Sequence, residues 1–286
     1  MNKSVFISNG GLGDNVMLTP SLEKYKKINP DTEIHVATLS RFGKTASDLF
    51  DGLGYIVHPI LSDPWDINFE KGMLRNTEEG KILGKEIGTD DVYLCHAPHG
   101  HKDWRMHKIY RFSKFLGIDL KGSEFKTKLK LDSESKKNAL ELCQFKEFIV
   151  VHLTPGNTRK NVSDSMLLKI KEYCTRKEHE GSIIFEIGSE FLYNSIKIGL
   201  YDMKLTKALV ALATEVIAID SVVMHIAGAF RTPLCTLWTI TPVHQALPFW
   251  MSYENLQVLS ENKGITLSNE WEQRRLEALK ALEFKC

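Results

Sequence analysis

Four clusters of residues have types and spacing that could do chemistry. The first is Gly10-Gly11-Leu12-Gly13-Asp14. Glycines let a backbone turn tightly beside a ligand, and the N–H groups opening the next helix favour an anion. A carboxylate at Asp14 would repel a bound pyrophosphate, whereas one facing an acceptor hydroxyl suits a general base. The second is Asp220-Ser221-Val222-Val223-Met224-His225, where Ser221 and the amides of Val222 and Val223 can cradle a diphosphate at a helix N-terminus. The third is Thr154–Lys160, a turn whose Arg159 and Lys160 suit neutralising a phosphate. The fourth is His96–Arg111, with four histidines, two arginines and two aromatic residues. Each also has a plain reading: a strand-to-helix turn, a capped helix with His225 in the core, and two stretches of solvated charge.

Two other chemistries compete for these residues. GGLGDNV lacks the third glycine of GxGxxG, but the strand after it ends in Ser40-Arg41, which suits the 2′-phosphate of NADP. An NADP-dependent reductase using the Gly10–Gly13 loop and Arg41 therefore stays open. The histidines of the fourth cluster invite a metal, yet His96, His99 and His101 have only Cys95 and Asp103 close by in sequence. No metal is expected there. His96, His99 and Arg105 read instead as part of a polar loop on the acceptor side, together with Gly10, Gly11 and Gly13.

The elements that must position these groups alternate as strand and helix. Ser4–Ser8 is a strand that stops at the glycine loop; Val16, Leu18, Leu22 and Tyr25 follow at near-helical spacing, and Glu33–Leu39 is the next strand. Strand, glycine turn, helix, strand is a βαβ unit and implies a parallel sheet. Further strands are expected at Tyr55–Ile60 and Asp91–Cys95, with helices over Thr77–Ile87 and His107–Leu116. A polar stretch over 121–147 separates this half from a second one. There the spacing predicts strands Phe148–Leu153, Ser182–Ile187, Val216–Ile219 and Leu234–Leu237. Helices are predicted over Asp164–Lys177, near Phe191–Ile198, near Lys207–Ala213, from Val223, and over Asn269–Phe284. The expected domains are 1–140 and 141–286, the closing helix being available to pack back on the first.

Composition bounds the partners. The chain has 286 residues, 37 Lys+Arg against 36 Asp+Glu, and 43% hydrophobic residues, which excludes a disordered or fibrous chain. A net charge of +1 argues against holding nucleic acid by bulk charge alone, though a local basic face stays open. The longest apolar runs are strand-sized, such as FIVV at 148–151, and the first residues lack a signal-peptide core, so a cytoplasmic protein without stable membrane insertion is expected. Five scattered cysteines without CxxC spacing fit buried thiols in a reducing compartment.

In order and spacing the chain resembles glycosyltransferase family 9, the ADP-heptose:lipopolysaccharide heptosyltransferases. GLGDNVMLTPSLEKYKKINPDTEIHVATL, ending at Leu39, is similar to the family's opening, and 152–170 (HLTPGNTRKNVSDSMLLKI) has its H-P-G…K rhythm. Residues 205–242 (LTKALVALATEVIAIDSVVMHIAGAFRTPLCTLWTITP) look like its D-S-G-x-M-H donor motif, with Val222 in place of the glycine. The resemblance implies a GT-B fold, in which two Rossmann-like doubly wound domains face a central cleft. It implies transfer of a sugar from a nucleotide-diphosphate sugar to an acceptor hydroxyl, inverting, without metal or other cofactor. By position, Asp14 matches the catalytic base, Lys160 a lysine on the donor phosphates, and Asp220 the aspartate associated with the sugar. Ser221, Val222, Val223 and His225 match the diphosphate motif, Arg159 and Thr241 flank the donor, and Glu190 falls near the place of a carboxylate beside the ribose. The implied acceptor is a lipopolysaccharide core or other glycan, met at the inner face of a membrane. A nucleic acid base, a protein or a small glycoside stays open as acceptor, and so does a non-catalytic nucleotide-sugar binding protein.

Overall fold

The computed structural model describes residues 2–64, 69–95, 107–154, 162, 164–188, 192, 194–200, 202–238 and 246–248. The chain groups into two units, Met1–Lys130 and Leu131–Val243, and residues 246–248 group with the first.

In the first unit, strands β1 (Asn2–Ser8), β2 (Thr32–Leu39), β3 (Ile56–Leu61) and β4 (Val92–Leu94) form one parallel sheet in the order β3-β2-β1-β4. The helices between them are α1 (Leu12–Ile28), α2 (Gly43–Phe50) and α3 (Phe69–Ile87), and α4 (Lys108–Phe115) follows β4. Val5, Phe6, Ile7, Val36 and Ala37 are fully buried, because a parallel sheet is covered on both faces. Helix α3 reaches the sheet closely at Gly80, where a side chain would run into Ile7.

Pro20 lies inside α1. A proline has no N–H, so the carbonyl four residues before it loses its helical partner. That carbonyl belongs to Val16, and the Thr19 hydroxyl donates to it at 2.7 Å while accepting from the Lys128 amide at 2.9 Å. The helix interruption is thus used to hold the segment that ends the unit.

In the second unit, β5 (Phe148–His152), β6 (Ile183–Ile187), β7 (Ile196–Ile198), β8 (Glu215–Ile219) and β9 (Leu234–Leu237) form a parallel sheet ordered β7-β6-β5-β8-β9. Helices α5 (Ser133–Leu142), α6 (Asp164–His179), α7 (Met203–Leu212) and α8 (Val222–Phe230) accompany it. Counted from its first strand, this order repeats that of the first sheet and adds one strand. Both are doubly wound arrangements in which the connection reverses direction beside the first strand.

Two expectations need correction. The segment 191–198 carries the edge strand Ile196–Ile198, not a helix; its Ile-Lys-Ile alternation fits one side of a sheet edge. The polar stretch 121–147 is not merely a boundary, because it contains α5, whose N-terminus is capped by Asp132 accepting from Ser135 N at 2.7 Å. The helix expected over 269–284 lies outside the described residues.

Candidate functional site

Ligands of doubly wound sheets bind beyond the carboxyl ends of the strands, where the strand order reverses. In the first unit that place lies between β1 and β4; in the second, between β5 and β8. The loop after β1 is Asn9–Gly11, followed at once by α1, and the loop after β8 is Asp220-Ser221, followed by α8. The first and second of the four clusters singled out in the sequence therefore stand at reversal points.

At the first point, Gly11 caps α1 and Asp14 falls in the helix's first turn. The Gly11 N–H donates to Asp14 Oδ2 at 2.9 Å, and the Lys108 ammonium donates to Oδ1 at 2.7 Å. Gly10 must be glycine, since a Cβ there would stand 2.6 Å from Asp14 Cβ. A Cβ on Gly11 would meet only Oδ2, at 3.8 Å. The carboxylate therefore occupies the space around the loop where a dinucleotide's pyrophosphate would be expected. Arg41, the proposed partner of an NADP phosphate, pairs instead with Asp63 and lies over the Phe42 ring at 5.0 Å.

The support beneath this loop is polar and buried. Ser8 donates to Asn15 Oδ1, and Asn9 and Asn15 each keep one buried polar atom without a hydrogen-bond partner. Helix α4 begins at His107, whose Nδ1 accepts from Ile109 N at 3.2 Å. Its Nε2 therefore carries the proton and donates to the Leu247 carbonyl at 2.8 Å. This fixes the start of α4, and with it Lys108.

At the second point, Ser221 is the extended residue before α8, and its side chain makes no capping bond. Its Oγ is buried with no hydrogen-bond partner. Val222, which replaces the motif's glycine, is 7% exposed, and Val223 is fully buried. Their side chains turn into the protein, so the added bulk packs inside. The opening amides of a helix lack intrahelical acceptors, which leaves polar N–H groups for an anion. Asp220 and His225 are both buried, with Oδ1 and Nε2 3.9 Å apart.

Around this point the strand tips are tied together. His152 donates from Nδ1 to the Ile187 carbonyl, and burial holds its imidazole below the usual pKa. The Thr154 hydroxyl donates to the Gly188 carbonyl. Glu186, fully buried on β6, accepts from Leu192 N at 3.1 Å, from Ser195 Oγ at 2.9 Å and from the Lys197 ammonium. It thereby ties Leu192, Ser195 and Lys197 to β6.

Arg159, Lys160, Glu190 and Thr241, and on the acceptor side His96, His99 and Arg105, lie outside the described residues. Sequence reading missed Lys108, His107 and Glu186. The four cations and four histidines of 96–111 are visible in the sequence, but nothing in their spacing says that Lys108 reaches back to the first helix. Among the described residues no group of three or more His, Cys, Asp or Glu is placed to hold a metal, and no helix is long and apolar enough to cross a membrane.

Comparison with known proteins adds to this geometry. No curated protein matches the chain. Residues 177–283 match the sequence profile of glycosyltransferase family 9 (heptosyltransferase). Among solved structures, the glycosyl transferase family 9 protein of Veillonella parvula is similar, with TM-score 0.66 and 12% identity over 99% of this chain and 96% of that one. The ADP-heptose lps heptosyltransferase II of E. coli gives 0.60 and 14% identity over all of both chains. The E. coli heptosyltransferase WaaC with ADP gives 0.56 and 13% identity over 90% of this chain and 93% of that one. At such identities the likeness is one of fold, and the expected GT-B class is found.

Proposed function

We propose that the chain, of GT-B fold and with residues 177–283 matching the profile of family 9, is a glycosyltransferase that moves a sugar from a nucleotide-diphosphate sugar to an acceptor hydroxyl by direct, inverting, metal-independent displacement. The observation that carries the reading is unlike chemistry at like places. A carboxylate, Asp14, stands at the reversal point of one sheet, and a buried hydroxyl without a partner, Ser221, stands at a helix N-terminus at the reversal point of the other.

Asp14 takes the acceptor's proton as its oxygen attacks the anomeric carbon. The negative charge then develops on the departing diphosphate. Ser221, the amides opening α8, and Lys160 with Arg159 stabilise it there, helped by Thr241. Asp220 and His225 border the sugar, and Glu190 the ribose. A single base without a second carboxylate nucleophile corresponds to inversion, by analogy with hydrolases that use one displacement. The donor belongs to the second unit and the acceptor to the first, with Gly10, Gly11, Gly13, His96, His99 and Arg105 on the acceptor side and the domain boundary within the polar stretch 121–147. The similar E. coli heptosyltransferase II is named for ADP-heptose and lps, which favours a glycan acceptor of that kind, reached from the cytoplasm by a protein peripheral to the membrane.

The test is a screen of ADP-, GDP- and UDP-sugars for nucleotide release, with and without deacylated lipopolysaccharide core, and mass spectrometry of the acceptor. Asp14→Asn should lower transfer roughly 100-fold or more while donor binding persists. Full transfer by that variant would remove Asp14 as the base. A wild-type protein that binds donor but neither transfers nor hydrolyses it would be a binding module instead.

A further inference from the structure

Lys108 belongs to no motif recognised above, yet its placement is unusual. It is the first residue of α4, where the helix dipole presents positive charge and a lysine is disfavoured. A cation is put there at an electrostatic cost, and among the described residues its single partner is Asp14, at 2.7 Å. The Lys108 side chain is 22% exposed and that of Asp14 14%. Helices α1 and α4 pack together, and His107, held at both ring nitrogens, fixes where α4 starts.

We propose that Lys108 is a positioning residue that fixes the carboxylate of Asp14 in its reacting orientation; the proposal rests on Asp14 being the base. With Oδ2 held by the Gly11 amide and Oδ1 by Lys108, the carboxylate cannot rotate about its Cβ–Cγ bond without losing a charge-assisted hydrogen bond. In the step itself the acceptor O–H bond breaks and an Oδ–H bond forms, while Lys108 keeps its own proton. Its two other N–H groups are then available to the acceptor's oxygens.

Two measurements test this. Protein labelled with 13Cγ-aspartate gives an Asp14 carboxyl resonance, identified by its loss in Asp14→Asn. Lys108→Met should shift that resonance and Lys108→Arg should restore it, with circular dichroism confirming that both variants fold. In the nucleotide-release assay with ADP-heptose and deacylated lipopolysaccharide core, Lys108→Met should lower kcat about tenfold with donor KM within twofold of wild type. Lys108→Arg should recover most of the rate. An unshifted resonance in Lys108→Met overturns the proposal, and so does a shifted resonance with undiminished kcat. If wild type turns over no sugar nucleotide, the reaction reading fails, and the resonance alone then decides whether Lys108 governs Asp14.

Discussion

His152 Nδ1 donates to the carbonyl oxygen of Ile187 at 2.7 Å, so a neutral imidazole joins the carboxyl ends of β5 and β6. The ring is fully buried in the fold, and burial lowers its pKa below the usual 6.5. The unfolded chain therefore takes up the proton first, and stability present above about pH 6.5 is lost as pH falls below it, at up to about 1.4 kcal/mol per pH unit. His58, lowered by burial and by the neighbouring His35, acts in the same direction. Thermal unfolding should show a lower Tm at pH 5 than at pH 7.5, and His152→Gln should flatten the difference. A Tm independent of pH over that range would contradict it.

The glycine loop makes a contrast between neighbours. Gly10→Ala puts a methyl group 2.6 Å from Asp14 Cβ, so the carboxylate must move, at a cost of roughly 1–3 kcal/mol. Gly11→Ala meets Asp14 only at van der Waals distance, with φ −70 already suited to alanine. Nucleotide release should fall at least tenfold in the first variant and little in the second. Equal activities would show that the loop does not set the position of Asp14.

Ser221→Ala separates binding from stability. Removing an N-cap serine normally costs about 1 kcal/mol, but Ser221 makes no capping bond. Tm should stay within about a degree of wild type, while affinity for ADP, measured calorimetrically, drops several-fold as a hydrogen bond to phosphate is lost. A clear drop in Tm with unchanged ADP affinity would make the serine a cap and nothing more.

Glu186→Ala leaves the Lys197 ammonium, Leu192 N–H and Ser195 hydroxyl without their shared acceptor. Glu186 is fully buried but the Lys197 side chain is 37% exposed and stays in reach of water, so the loss is mainly that of the buried Leu192 N–H partner, about 1–3 kcal/mol. Denaturant unfolding should register that loss. Unchanged stability would mean that water replaces the carboxylate.

Much of this architecture is legible in the sequence, for physical reasons. Buried parallel strands must be apolar on both faces, so FIVV and VIAI announce themselves, and a glycine run ending in an acid marks a tight turn into a helix. The misread elements are those whose partners lie far away. Ile196–Ile198 is strand because β6 offers it an edge, which no local spacing reveals. Helix α5 buries little beyond Ser135 and Ala139, so its polar surface reads as a linker. The Lys108–Asp14 pair joins residues 94 positions apart, and only the packing of α4 on α1 makes it.

That same separation governs how the protein is made. Strand β1 pairs on one side with β2 and on the other with β4, where Val5 meets Val92. At about 5–20 residues per second, one edge of β1 waits on the order of ten seconds during synthesis before its second neighbour exists. Strand β5 waits similarly for β8, where Ile149 meets Glu215. An unpaired strand is a template for other chains. The repeated strand order thus exposes the nascent chain to aggregation twice, each time beside the strand that leads into a ligand loop.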